Sequence, residues 1–178
     1  MLNTRLLTIV GMILAAAATR LIPHPPNLTA IGAVALFGAA YFDRRWMAFV
    51  VPLAAMLASD LILTSPDPVT YACFAMTAAM GLLLRDRVTF GRVTAAAIAA
   101  SVMFFVVSNF FVWWGSRMYP QNAAGLVECY LLALPFAQNM LLGNLLYCGV
   151  LFGGMWACQK AWPALGRQKL APARVLKS

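Results

Sequence analysis

The sequence predicts an all-α polytopic membrane protein, a bundle of six transmembrane helices in a single domain. Three observations predict it. Of the 178 residues, 63% are apolar and only 10% are charged, whereas a soluble domain carries roughly 25% charged residues. The apolar residues gather into runs close to the length of a bilayer crossing. The 13 Lys and Arg residues fall in the gaps between those runs, mostly at every second gap. With a mean hydropathy of +0.81, the chain has too little polar surface to cover a globule in water. A soluble enzyme and a disordered chain are excluded on that ground. No nucleic-acid partner is expected either, because the +8 net charge is scattered over short gaps and not gathered on one face.

The apolar runs place helices at about 4–22, 28–42, 46–64, 68–84, 93–114 and 130–156. A crossing needs about 20 apolar residues. The first, third, fifth and sixth runs meet that length. The second and fourth are shorter, and a re-entrant path is the alternative for them. Charge placement decides between the two. With six crossings, one side holds Arg5, Arg44, Arg45, Arg85, Arg87, Arg92, Lys160, Arg167, Lys169, Arg174 and Lys177, against Arg20 and Arg117 on the other. Positive residues stay cytoplasmic, so both termini are expected there. The basic tail, 163–178, is expected to lie on anionic lipid.

The gaps on the far side carry the chemistry. They contain the only His, His24, and three of the five acids, Asp60, Asp67 and Glu128. Tyr71, Trp113, Arg117 and Tyr119 lie on or near the same side. Prolines stiffen these loops by fixing φ. A rigid, aromatic mouth of mixed polarity suits a small-molecule site, and an interfacial aromatic belt is the plainer reading of the Trp and Tyr residues.

Asp60 lies about one turn before the end of the third run. A carboxylate deep in a bilayer costs about 2.5–3.5 kcal/mol. It therefore needs a cation or several donors, and Arg20, His24 and Arg117 are the candidates. Asp67-Pro68 reads as a helix start, with Asp at the N-cap and Pro at the first helical position. Cys73 then falls in the second turn, where a thiolate gains from the helix dipole and is a soft donor for a transition metal. A buried thiol or a Cys73–Cys129 disulfide are the alternatives. Cys148 and Cys158 read as packing residues. Asn109 lies near the mouth and is a candidate lining residue. Asn139 and Asn144 are expected to cross-bond helices. Gly11/Ala15, Ala54/Ala58 and Gly149/Gly153 have the spacing that lets helices approach closely. No phosphate-binding glycine loop is present, so the chain is not expected to hydrolyse ATP by itself. One His also cannot build a His-rich zinc site, and no intrinsic cofactor is expected.

Arg20-Leu21-Ile22-Pro23-His24-Pro25-Pro26-Asn27 is followed by Gly32 to Gly38, Ser59-Asp60-Leu61, Ser108-Asn109-Phe110, Tyr119-Pro120, Gly125-Leu126, Cys129-Tyr130, Pro135-Phe136, Asn139 and Gly143-Asn144. Over residues 20–153 this pattern resembles small bacterial six-helix membrane proteins similar to the substrate-binding S-components of energy-coupling-factor (ECF) vitamin transporters. Asp60 followed thirteen residues later by Cys73 resembles the BtuM-like solitary S-components specific for cobalamin. Asn144 departs from the acid expected at its position.

The resemblance implies a bacterial inner-membrane protein that binds cobalamin from the outer side and transports it inward. It implies Cys73 as the axial cobalt ligand, with His24, Asp60 and Tyr71 lining the corrin pocket, and an ECF ATPase module as a partner. Such a protein is a transporter and not an enzyme, with cobalt ligand exchange or reduction at Cys73 as side chemistry. The alternatives are an S-component for another small vitamin or precursor, gripped by Tyr71, Trp113 and Tyr119, and a membrane scaffold protein without a ligand. A thiol redox enzyme would need Cys129 as the second cysteine.

Overall fold

The computed structural model describes residues 4–63 and 66–166. Among them the chain is helical and contains no strand. The six α-helices are α1 (Thr4–Ala18), α2 (Ile31–Tyr41), α3 (Met47–Leu63), α4 (Pro68–Leu82), α5 (Phe90–Gly115) and α6 (Ala123–Ala161). A 3₁₀ turn, Thr19–Leu21, continues α1, and another, Pro163–Leu165, follows α6. The greater part of the basic tail, 167–178, lies outside the described residues, as do Thr64 and Ser65.

Among the described residues, three segments are long and apolar enough to cross a membrane: Thr4–Leu21, Phe90–Gly115 and Ala123–Ala161. Ile31–Tyr41, Met47–Leu63 and Pro68–Leu82 are shorter apolar helices. Large apolar side chains stand on the outside of the bundle, among them Leu61 (71% exposed), Ile62 (73%) and Phe90 (89%). In water each would cost the transfer energy of a bare side chain, about 1.5–3 kcal/mol.

Helix α2 is the centre of the molecule. All eleven of its residues are buried, and α1, α3, α4, α5 and α6 all pack on it. A helix that is apolar on every side requires such a position. At 1.5 Å per residue it is only about 17 Å long. The chain leading into it, residues 22–30, is not helical, and it sinks from exposed Pro26 and Asn27 to buried Ala30. Non-helical backbone at membrane depth is tolerated where protein surrounds it. Here α6 does so. The amide of Asn139 donates to the Pro26 carbonyl at 3.0 Å, and the Leu28–Thr29 backbone lies directly against Gly143.

Capping residues move several boundaries away from the apolar runs. Thr89 caps α5 by accepting from the Arg92 amide, so α5 starts at Phe90 and not near residue 93. Asn122 caps α6 by accepting from the Gly125 amide. Helix α6 therefore begins seven residues before the expected 130 and runs on to Ala161. At 39 residues it is about 59 Å long. Hydropathy reports depth in a bilayer, whereas backbone capping decides where a helix stops. The Asp67-Pro68 start of α4 is found as expected, with Asp67 accepting from the Thr70 amide at 2.8 Å.

Close helix approach occurs at other glycines than those expected. Gly11/Ala15, Ala54/Ala58 and Gly149/Gly153 are all exposed, and a Cβ added to Gly11, Gly149 or Gly153 would meet nothing within 4 Å. The small residues at helix crossings are Gly81 against Leu36 and Ala39, Gly32 against Asn144, and Gly38 against Pro52. Spacing of small residues shows that close approach is allowed. Only the packing shows which pair is used.

Two ion pairs fasten the ends of α1. Arg5 is 5% exposed. It donates to the Asp43 carboxylate at 2.6 Å and to the Tyr41 carbonyl at 2.8 Å. Arg85 reaches the Asp43 carbonyl at 2.7 Å. Two guanidinium groups thus meet the carbonyl end of α2, where the helix dipole is negative. At the other end of α1, Arg20 bonds Asp60 of α3 at 2.7 Å.

The packing of α4 on α2 yields a direct test. A Cβ at Gly81 would lie 2.9 Å from both the Leu36 Cα and its carbonyl oxygen. Gly→Ala within a helix otherwise stabilises by about 0.5–1 kcal/mol. Gly81→Ala is expected to lower stability by about 1–3 kcal/mol through overpacking, while Gly11→Ala raises it or leaves it unchanged. Thermal unfolding of both variants in detergent checks the opposite signs.

Candidate functional site

The Asp60 end of the bundle encloses a cavity of about 280 Å³. Its lining comes from the turn after α1, the descending segment and α2 to α6. Each element delivers its polar group for a local reason. Arg20 sits in the 3₁₀ turn that tightens the end of α1. Asn27 holds φ at +64°, a left-handed conformation that Asn tolerates better than most residues. Asp67 is fixed by its capping role.

Asp60 is 3% exposed and forms the floor of the site with Arg20. One carboxylate oxygen accepts from Arg20 Nη1 at 2.7 Å, and the other accepts from the Tyr71 hydroxyl at 3.0 Å. The same Arg20 nitrogen also donates to Ser59 Oγ at 2.6 Å, and Ser59 Oγ in turn donates to the Met56 carbonyl. Of the three cations considered for Asp60, the fold selects Arg20. His24 is exposed and its ring bonds the nearby Ile22 carbonyl at 2.7 Å. Arg117 is exposed in the α5–α6 loop.

The lining carries one arginine against two aspartates, Asp60 and Asp67. The Thr70 hydroxyl bonded to Asp67 at 2.6 Å holds that carboxyl below its usual range. Asp67 stays anionic at the mouth, with Asn27 beside it in the lining.

Helix α4 contributes one continuous stripe. Thr70, Phe74 and Thr77 line the cavity, and Cys73 lies between them on the same face, because residues three and four apart stack along a helix. Cys73 itself is fully buried and its sulfur is closed off from the cavity. Its carbonyl accepts from the Thr77 hydroxyl. The Phe74 ring lies tilted against Phe104 of α5, 5.2 Å between ring centres. Cys73 and Cys129 are free thiols, and Cys129 Sγ bonds the Asn109 carbonyl at 3.6 Å. Among the described residues no three His, Cys, Asp or Glu side chains gather into a metal-binding group.

The structure puts Asp60 in the cavity lining and Cys73 on its wall helix, while Tyr71 bonds Asp60 from outside the lining. The remaining candidates lie elsewhere. Asn109 donates within α5 to the Phe105 carbonyl. Trp113 donates from Nε1 to the Pro120 carbonyl, and its own carbonyl accepts from Gln121. The Tyr119 carbonyl faces the same Gln121 amide. These residues brace the α5–α6 loop.

Asn144 cross-bonds helices as expected, donating to Ser101 Oγ of α5 at 2.8 Å, and it also lines the cavity. Asn139 holds the descending segment and not another helix. Sequence reasoning missed Asn27, Thr29, Thr70, Phe74, Thr77 and Phe104. The Thr70–Cys73–Phe74–Thr77 spacing was the signal available for α4.

The fold and the site thus define an all-helical chain, with helices fit to cross a membrane, that encloses a polar cavity floored by a buried ion pair. It belongs to the family of unknown function DUF6580, which matches residues 1–165. No curated protein and no solved structure matches it.

The floor pair can be tested without any ligand. Removing one partner of a buried pair costs about 3–5 kcal/mol, whereas replacing both with apolar residues is often close to neutral. Arg20→Met is expected to lower the melting temperature or the yield sharply. Arg20→Met combined with Asp60→Leu should recover most of the loss, as measured by a double-mutant cycle in detergent.

Proposed function

We propose that this chain is a vitamin-uptake membrane protein of the bacterial inner membrane, with six crossings and both termini cytoplasmic. It takes its solute from the outer side into the Arg20–Asp60 cavity and carries it inward. The observation that carries this reading is the cavity itself. It combines a buried charged floor, hydroxyl and amide walls and an aromatic pair, and it reaches the surface at exposed Asn27 and Asp67. Convergent polar groups in an otherwise apolar enclosure are the hallmark of a small-molecule site. The eleven-to-two distribution of basic residues supports the orientation.

The proposed solute is cobalamin. Support comes from the Asp60–Cys73 spacing and from the place of Cys73 on the cavity stripe of α4. A corrinoid is larger than the cavity as it stands. Loading therefore requires α4 to part from its neighbours, a motion that would enlarge the cavity and bare the Cys73 sulfur together. The thiol then loses its proton to solvent and its sulfur donates an electron pair to cobalt. The displaced axial ligand leaves with its own pair, so the metal keeps its oxidation state. Energy comes from an ECF ATPase module docked on the exposed Gly11–Ala15 face of α1.

One observation favours a second reading. A volume of about 280 Å³ falls just below the roughly 300–1,000 Å³ of small-ligand sites. It suits a smaller vitamin or precursor. With one more carboxylate than guanidinium in the lining, that solute is neutral or cationic.

Two experiments test these readings. Cysteine labelling from outside is expected to reach residues placed at 67 and 121 but not at 87 or 170; labelling at 87 would overturn the six-crossing topology. Purified protein loaded with cobalamin should show an absorbance spectrum of thiolate-ligated cobalt. Cys73→Ser should lose that spectrum while keeping the fold, Cys129→Ser should keep both, and Asp60→Asn should reduce uptake more than yield. An unchanged spectrum in Cys73→Ser removes the cobalt assignment and leaves the smaller solute.

A further inference from the structure

At the opposite end of the bundle, a second concavity of about 860 Å³ lies between the start of α5 and the last third of α6. It takes no part in the reading above. Phe90 and Val93 form one wall, and Cys148, Phe152 and Trp156 form the other. Gly149 and Gly153 also line it. They lie one turn apart, and a Cβ on either would meet nothing within 4 Å. The two glycines therefore leave a furrow that no side chain among the described residues fills.

The rim is cationic. Lys160 directly follows Gln159 of the wall, and its ammonium lies over the Trp156 ring at 5.4 Å from the centroid. Arg87 directly precedes Val88 of the wall and is exposed. Neither Arg87 nor Lys160 forms a salt bridge among the described residues. Arg92 is engaged with the Leu83 carbonyl, and Asp86 is the acid next to Arg87 in the chain. This end of the bundle carries Arg5, Arg44, Arg45, Arg85, Arg87, Arg92 and Lys160 against Asp43 and Asp86, so the field over the rim is positive.

We propose that this groove is a binding site for an anionic phospholipid. Its acyl chain lies along Gly149 and Gly153 between the aromatic walls, and its phosphate meets Lys160 and Arg87. Two features select this occupant over a second copy of the chain. The groove is an open concavity of about 860 Å³, whereas small residues that serve a helix crossing let the two backbones approach closely. Its cations stand where an apolar furrow meets the polar boundary, which is the arrangement of basic headgroup pockets between transmembrane helices. A second copy would bring the same uncompensated cations to the same place.

The test compares thermal unfolding of the full chain in phosphatidylglycerol and in phosphatidylcholine nanodiscs, with glycerol phosphate as a soluble control. Phosphatidylglycerol should raise the melting temperature above that in phosphatidylcholine, and glycerol phosphate should have no effect. Gly149→Leu with Gly153→Leu should fill the furrow and abolish the lipid difference. Should that variant fail to fold, Arg87→Gln with Lys160→Gln at the exposed rim carries the test, and it should lose most of the difference while folding normally. Equal melting temperatures in the two lipids would overturn the proposal, as would a difference that survives the rim variant. A change from dimer to monomer in the glycine variant, with lipid preference unaltered, would reassign the groove to a second copy.

Discussion

The architecture depends on hiding one short helix. Helix α2 has no polar face, so every side of it must be covered, and five other helices are arranged to cover it. That arrangement accounts for most of what surrounds it. Glycines occur where α4 and α6 come nearest, because Gly81 and Gly32 have no room for a Cβ. The chain entering α2 must descend through protein, which brings Thr29 into the bundle below exposed Asn27 and leaves space beside them. At the carbonyl end of α2, Arg5 supplies a donor to the Tyr41 carbonyl, one of the last acceptors of the helix, and Arg85 bonds the Asp43 carbonyl two residues beyond it. The cavity is the room left over the amino end of α2, with Ile31 and Gly32 in its lining.

Helix α1 is held from both ends by charge. Arg5 and Arg20 reach Asp43 and Asp60 respectively, about one helix length apart. The two pairs differ in surroundings. The Asp43 side chain is 62% exposed, so water screens that pair. The Asp60 side chain is 4% exposed, and it is held by bonds from Arg20 and Tyr71. An ion pair of this kind fixes geometry more than it adds stability. Its effect is to place a guanidinium and a carboxylate at one corner of a cavity in a defined orientation, with the Tyr71 phenol bonded behind the carboxylate.

The candidate site was readable in proportion to how local its causes were. Asp67 was legible because an N-cap depends on the next three residues alone. Asp60 was legible as a group needing a partner, because its cost in an apolar setting does not depend on the fold. Its choice of Arg20 over His24 and Arg117 was not legible, since that follows from where α1 ends relative to α3. Trp113 and Tyr119 have the chemistry of pocket residues, but Trp113 spends its indole N–H on the Pro120 carbonyl, and the Tyr119 backbone carbonyl faces Gln121 in the same α5–α6 loop. Thr70 and Thr77 are ordinary residues in sequence and become lining residues because α4 turns that stripe inward.

By itself, the sequence determined the helical class, the number and order of the helices, the capping of α4 and the need of Asp60 for a cation. Each of these rests on composition, on a period along the chain or on the self-energy of one group. Tertiary structure alone decided the central place of α2, the glycines used at crossings, the starts of α5 and α6 beyond their apolar runs and the membership of the cavity. Those depend on which helix faces lie against each other. Hydropathy cannot rank the faces here, because lipid and protein interior are equally apolar surroundings for a side chain. Packing and a few buried polar contacts therefore choose the neighbours, and both become visible only when the chain is folded.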